Sequence, residues 1–82
     1  MDVKVINIKR AESGVNVLTL DRHSSFVNGK RWEEVCFMVD LRENGRLIGR
    51  TAELDYADAL KVYTRMLEAD RYSGYSFKEV SL

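Results

Sequence analysis

Apolar and polar positions change period several times along the chain, and each change marks an element. Residues 3–10, VKVINIKR, put Val3 and Val5 in one parity and Ile6 and Ile8 in the other. This predicts a strand apolar on both faces, or one broken by a bulge near Val5. AESG at 11–14 reads as a turn, and VNVLTLD at 15–21 as a second two-sided strand, with Val15 and Val17 against Leu18 and Leu20. The two make a first hairpin over residues 3–21. RHSSFVNGKRW at 22–32 reads as the longest polar connection, with Asn28-Gly29 as its turn signal. EEVCFMVDLR at 33–42 then alternates cleanly, with Val35, Phe37, Val39 and Leu41 on one side and Glu34, Cys36, Met38, Asp40 and Arg42 on the other.

Glu43-Asn44-Gly45 closes the next hairpin, and the length of its loop decides where three arginines point. A two-residue turn at Asn44-Gly45 pairs Glu43 with Arg46 and Leu41 with Ile48, which sets Arg46 and Arg50 on the face of Val39 and Leu41. A three-residue loop with Gly45 in the left-handed conformation pairs Arg42 with Arg46 and Leu41 with Leu47. Phe37, Val39, Leu41 and Leu47 then lie inside, with Met38, Asp40, Arg42, Arg46, Ile48 and Arg50 outside. A slip of one residue exchanges the faces, and burying unpaired arginine is costly. The expectation is therefore the three-residue loop, with Arg42, Arg46 and Arg50 in a row on the outer face.

Beyond this hairpin the period changes to that of a helix. Asp55 is a good N-cap and Asp58 favours the helix dipole. Tyr56, Ala59, Leu60, Tyr63, Met66 and Leu67 form one apolar stripe, opposite Asp58, Lys61, Arg65 and Glu68. The helix is expected to end near Tyr72, before Gly74, and a short last strand to run through Tyr75 and Phe77. The order ββββαβ separates sheet from helix, so the expected fold is α+β over residues 1–82: an antiparallel sheet of four to five strands with one amphipathic helix on one face. A single helix leaves the second face of the two-sided strands open, and that face is where a partner is expected.

Composition narrows the class. With 82 residues, 45% hydrophobic and 32% charged, the chain is an ordinary globular length of sequence, and a domain this small has a thin stability margin that dimerisation would reinforce. Thirteen cations balance thirteen anions, and the pI near 6.6 is far from the basic values usual for nucleic-acid binders. Eight of the cations are Arg, which suits planar and bidentate contacts better than Lys. One cysteine, Cys36, excludes an internal disulfide and a thiolate metal site from one chain. No signal peptide or long apolar run is evident, so a reducing cytoplasmic location is expected. No metal or cofactor is expected.

Catalytic constellations are thin. Asp21, His23 and Ser24 or Ser25 hold the residue types of a nucleophilic triad, but as neighbours in a polar loop they have no reason to converge. Asp21, Glu33, Glu34 and Asp40 carry no spacing that defines a carboxylate pair, and GRLIG lacks the Gly-Lys-Ser/Thr tail of a phosphate loop. Cys36, mid-strand among apolar residues, reads as an inert packing or interface thiol. The chain is expected to be no enzyme.

The arginine row is either a solvated face neutralised by Asp40, Glu43 and Glu53, or a surface for acidic protein groups or phosphates. Trp32, after Lys30 and Arg31, either extends that surface as an anchor or plugs the end of the core.

The stretch VDLRENGRLIGRTAELDYADALKVYTRM, residues 39–66, resembles two groups of sheet-reading DNA-binding domains: the plant ethylene-response-factor type and the arm-type domain of tyrosine recombinases. Both place a hairpin with outward Arg and Trp before a helix with an Ala-x-x-Tyr-like stripe. The resemblance implies that Arg42, Arg46, Arg50 and Trp32 enter a major groove. In size and build the chain is also similar to small phage-encoded inhibitors such as anti-CRISPR proteins.

The expectation carried forward is a non-enzymatic interaction protein. It would bind a partner protein, or itself as a homodimer, through the outer sheet face and the hairpin, with Arg42, Arg46, Arg50, Trp32, Met38 and Ile48 as contact residues. A DNA- or RNA-binding module using the same hairpin is the alternative.

Overall fold

A computed structural model of the chain describes residues 2–27, 30–69, 74 and 76–82, with the side chains of residues 2, 26, 27 and 30–34 left aside. Five antiparallel strands and one helix follow each other as β1 (Asp2–Ser13), β2 (Asn16–Val27), β3 (Lys30–Glu43), β4 (Arg46–Glu53), α1 (Tyr56–Glu68) and β5 (Lys78–Val80). The strands lie side by side in the order β4-β3-β2-β1-β5. The first four form a meander, and β5 returns past the helix to pair with the end of β1. The fold is α+β, in the expected order.

A bulge explains why β1 looked apolar on both faces, and a bulge in β4 sets the outer face of the next hairpin. β1 changes register between Asn7 and Lys9, so Ile8 is an extra residue opposite β2. The bulge sits at Ile8 rather than near Val5, and it lets Ile8 and Ala11 both reach the core side. Asn7 holds it in place: its amide nitrogen donates to the Lys9 carbonyl at 3.0 Å and to Asp21 Oδ1 at 2.6 Å.

The second bulge corrects the expected hairpin. Asn44 at φ 51° and Gly45 at φ 82° make a two-residue turn of the left-handed kind, and Glu43 does pair with Arg46. Burial of arginine is avoided by a different device. Ile48 is looped out of the ladder, so that Arg42 pairs with Leu47, Leu41 with Gly49 and Asp40 with Arg50. One extra residue restores the parity of everything beyond it.

Three further boundaries differ from expectation. β1 runs on through the expected 11–14 turn, and the chain reverses at Gly14-Val15 instead. Most of the polar 22–32 connection is strand, pairing His23 with Cys36 and Val27 with Lys30; the Asn28-Gly29 turn itself lies outside the described residues. The helix closes at Ala69 rather than near Tyr72, and the last strand, expected within residues 75–82, is Lys78–Val80, starting just after Phe77.

The core lies between the helix and one face of the sheet. Ala11, Leu18, Leu20 and Val39 of the sheet meet Ala59 and Tyr63 of α1, all at most 1% exposed. Phe37, Leu60, Met66 and Leu67 pack around them. Asp55 caps the helix by accepting from the Ala57 amide at 2.8 Å. Tyr56 closes one end with its ring edge-on to Phe37, centroids 5.6 Å apart. Tyr63 is buried, and its hydroxyl forms no hydrogen bond of good geometry. Burial, together with the neighbouring Glu79 carboxylate, pushes its pKa up to about 12.

Two predictions follow from this geometry. Asn44→Ala forces an ordinary side chain into the left-handed region and is expected to cost about 1 kcal/mol by urea denaturation, while Asn44→Gly is neutral. Because the folded protein holds the Tyr63 proton more tightly than the unfolded chain does, stability is full below about pH 10 and falls as pH rises towards 12, by on the order of 2 kcal/mol. Tyr63→Phe is expected to remove that alkaline decline from a series of denaturation midpoints.

Candidate interaction face of the sheet

Among the described residues, no element packs on the sheet face turned away from α1. The pairing registers lay out its surface in rows. Arg10, Thr19, Asp40 and Arg50 form one row across β1 to β4, and Asn7, Asp21, Met38 and Ala52 form the next. Val5, His23 and Cys36 continue towards one end, and Glu12, Val17, Arg42 and Leu47 towards the other. A face without a covering layer among the described residues must satisfy its own charged groups, and this one does so by charge pairing around Asp40.

Asp40 is the centre of that pairing. It is 1% exposed, and Arg50 grips it with two hydrogen bonds, Nε to Oδ1 at 2.8 Å and Nη2 to Oδ2 at 3.0 Å. Arg42 Nη1 stands 3.6 Å from Oδ2. The hydrogen bonds to Asp40 raise the Arg50 pKa above its ordinary value. The fork geometry that suits arginine to an external phosphate or carboxylate is here used internally.

The expected row of three arginines is thereby reduced to two. Arg42 and Arg50 share the outer face and converge on Asp40. Arg46 pairs with Glu43 in the opposite parity and is exposed beside the turn. Met38 stands half-buried in the middle of the outer face, and Ile48 is 47% exposed at the bulge. Leu47, expected inside, lies opposite Arg42 and is 42% exposed, because the two-residue turn pairs it there. The Trp32 side chain lies outside the described residues.

Residues that the sequence reading set aside as catalytic, and Leu54, which it did not single out, also shape this face. His23 belongs to β2 rather than to a loop, and its Nε2 is buried without a hydrogen-bond partner, as is Thr19 Oγ1. Cys36 stands opposite His23 but does not engage that nitrogen, so the two do not form a nucleophile–base pair. Where β3 runs past the end of β4, Ser25, Val35, Cys36 and Leu54 line a pocket of about 390 Å³. Leu54 itself is 85% exposed. Its position just after a strand gave no periodic signal. Among the described residues no three His, Cys, Asp or Glu side chains come together as a metal-binding set, and no helix is long and apolar enough to cross a membrane.

No protein-family model, curated protein or solved structure matches the chain.

The pairing around Asp40 makes an asymmetric prediction. Arg50→Ala strands a buried carboxylate and is expected to cost about 3 kcal/mol, whereas Asp40→Asn leaves only half-exposed guanidiniums unpaired and costs about 1–2 kcal/mol. The reverse ranking in urea denaturation would show that Asp40 is not the group in need of compensation.

Proposed function

We propose that this protein is a non-enzymatic interaction module that takes a partner protein on its uncovered sheet face. The observation that carries this reading is the surface of that face. Val3, Val5 and Leu47 are 56%, 53% and 42% exposed on it, and Leu54 stands over the pocket at its edge. Half-buried Met38 and Val17 lie between them. Antiparallel sheets often leave one face to solvent, but here that face carries several exposed apolar side chains beside a pocket, and such groupings mark interaction sites. Exposed apolar groups ringing a centre in which Asp40 is shared by Arg50 and Arg42 fit a partner of mixed apolar and polar character. The pocket at Leu54 has room for one apolar side chain of that partner. A strongly acidic partner fits less well, since the two outer arginines already have a carboxylate between them.

The same point weighs against the nucleic-acid reading. A phosphate-binding hairpin needs cations free to displace counterions, and the outer pair is partly compensated by Asp40. A phage-type inhibitor is one kind of protein that works by such a non-catalytic surface, and that narrower reading rests on size and build alone.

The test is affinity capture with the wild-type chain beside Leu54→Asp and Leu47→Asp, both at exposed positions where the fold should be kept. A cognate protein partner should be lost at least tenfold from both variants. A partner held equally by all three chains would remove the outer face from consideration. Titration with duplex DNA should give no shift; binding whose log–log salt slope is about −0.9 per neutralised phosphate would replace the protein partner with a nucleic acid.

A further inference from the structure

The free edge of β1 carries a separate inference, which rests on unpaired backbone although it shares Val3 and Val5 with the face just described. β5 covers only one end of this strand, from Arg10 opposite Val80 to Glu12 opposite Lys78. Among the described residues, nothing pairs with 3–9 on that side. Val3, Val5 and Ile6 are 56%, 53% and 41% exposed there, and they alternate between both faces of the sheet. Edge strands are usually protected by shortness, proline, bulges or charge. β1 is 12 residues long, the chain has no proline, and the bulge lies past Asn7. Lys4 is the one charged residue within Val3–Asn7.

The edge is also self-complementary, and in a single register. Two copies of one strand pair antiparallel about an axis normal to the sheet, which keeps each residue on its own face, so the axis must pass through a residue of each strand. Centred on Lys4, the pairing sets lysine against lysine, an unfavourable cross-strand pair. Centred on Ile6, it drives residue 2 of one copy against position 10 of the other, where Val80 already sits. Centred on Val5, it places Val5 opposite Val5, Val3 opposite Asn7 and Lys4 opposite Ile6. The Lys4 stem then lies along an apolar neighbour with its ammonium in water, and neither β5 ladder is disturbed. Val3 and Val5 of both copies form one apolar stripe on the outer face.

We propose that the chain forms a two-fold dimer by antiparallel pairing of Val3–Asn7 with the same segment of a second copy. The product is a continuous sheet from β4 of one protomer to β4 of its partner. Both outer faces then look the same way.

Cross-linking reads this register directly. In a Cys36→Ala background, Val5→Cys puts two thiols face to face and should give a disulfide dimer under mild oxidant, while Lys4→Cys, whose opposite residue is Ile6, should not. Light scattering of the unmodified chain should show dimer mass rising with concentration. Val5→Lys, at a half-exposed position, should be monomeric with an unchanged circular dichroism spectrum. A chain that stays monomeric at all concentrations, a dimer that survives Val5→Lys, or Lys4→Cys cross-linking as fast as Val5→Cys would each overturn the proposal. Affinity for a partner lost through Leu54→Asp is unaffected by any of these outcomes, so the two ideas fail separately.

Discussion

One helix cannot cover a five-stranded sheet. The sheet is about 19 Å across at its usual strand spacing, and a helix with its side chains is about 10 Å wide. The thirteen residues of α1 rise about 20 Å, whereas the molecule is 45 Å along its longest axis. Two consequences govern the rest of the structure. The face away from the helix has to be stable in water without a layer above it, and the ends of β1, β2 and β3 project past the helix. The Asp40–Arg50–Arg42 centre and the Asn7–Asp21 bond answer the first demand. The exposed valines of β1 and the pocket beside Leu54 are products of the second.

This geometry also shows why parts of the fold were legible in the sequence and others were not. β3 could be read because it crosses the middle of the sheet, where one side meets α1 and the other does not; its alternation from Val35 to Arg42 is that difference written out. Asp55 and the stripe through Ala59 and Tyr63 were legible for the same reason. The 22–32 segment was misread because its strand ends project beyond the helix. Ser24 is buried there although polar, so His23, Ser24 and Ser25 show no apolar alternation to read. The hairpin was misread because a bulge leaves no local mark: Ile48 is an unremarkable strand residue, and only the need to keep Arg50 off the core face favours looping it out.

At the candidate face, sequence reasoning found the right elements and left one piece of the chemistry open. Arg42 and Arg50 do lie together on the outer surface. Cross-strand pairing also sets Asp40 between them, so part of their hydrogen-bonding capacity is used within the sheet. Asp40 was seen as one of several possible neutralising charges, when register makes it the buried centre. Leu47 was placed on the wrong face because the turn has two residues rather than three, and Leu54, just past the end of a strand, carried no periodic signal.

The strand order has a further consequence for how the chain reaches this state. β1 to β4 are neighbours in space as in sequence, so each hairpin can close as soon as its second strand exists, with little loop entropy to overcome. A chain emerging from the ribosome would therefore assemble its meander before residues 56–68 are available. During that interval Leu18, Leu20 and Val39 are wet, and the half-made sheet has two sticky sides instead of one. The arrival of a single helix changes the nascent chain from a species at risk of aggregation into one that is merely open on one face.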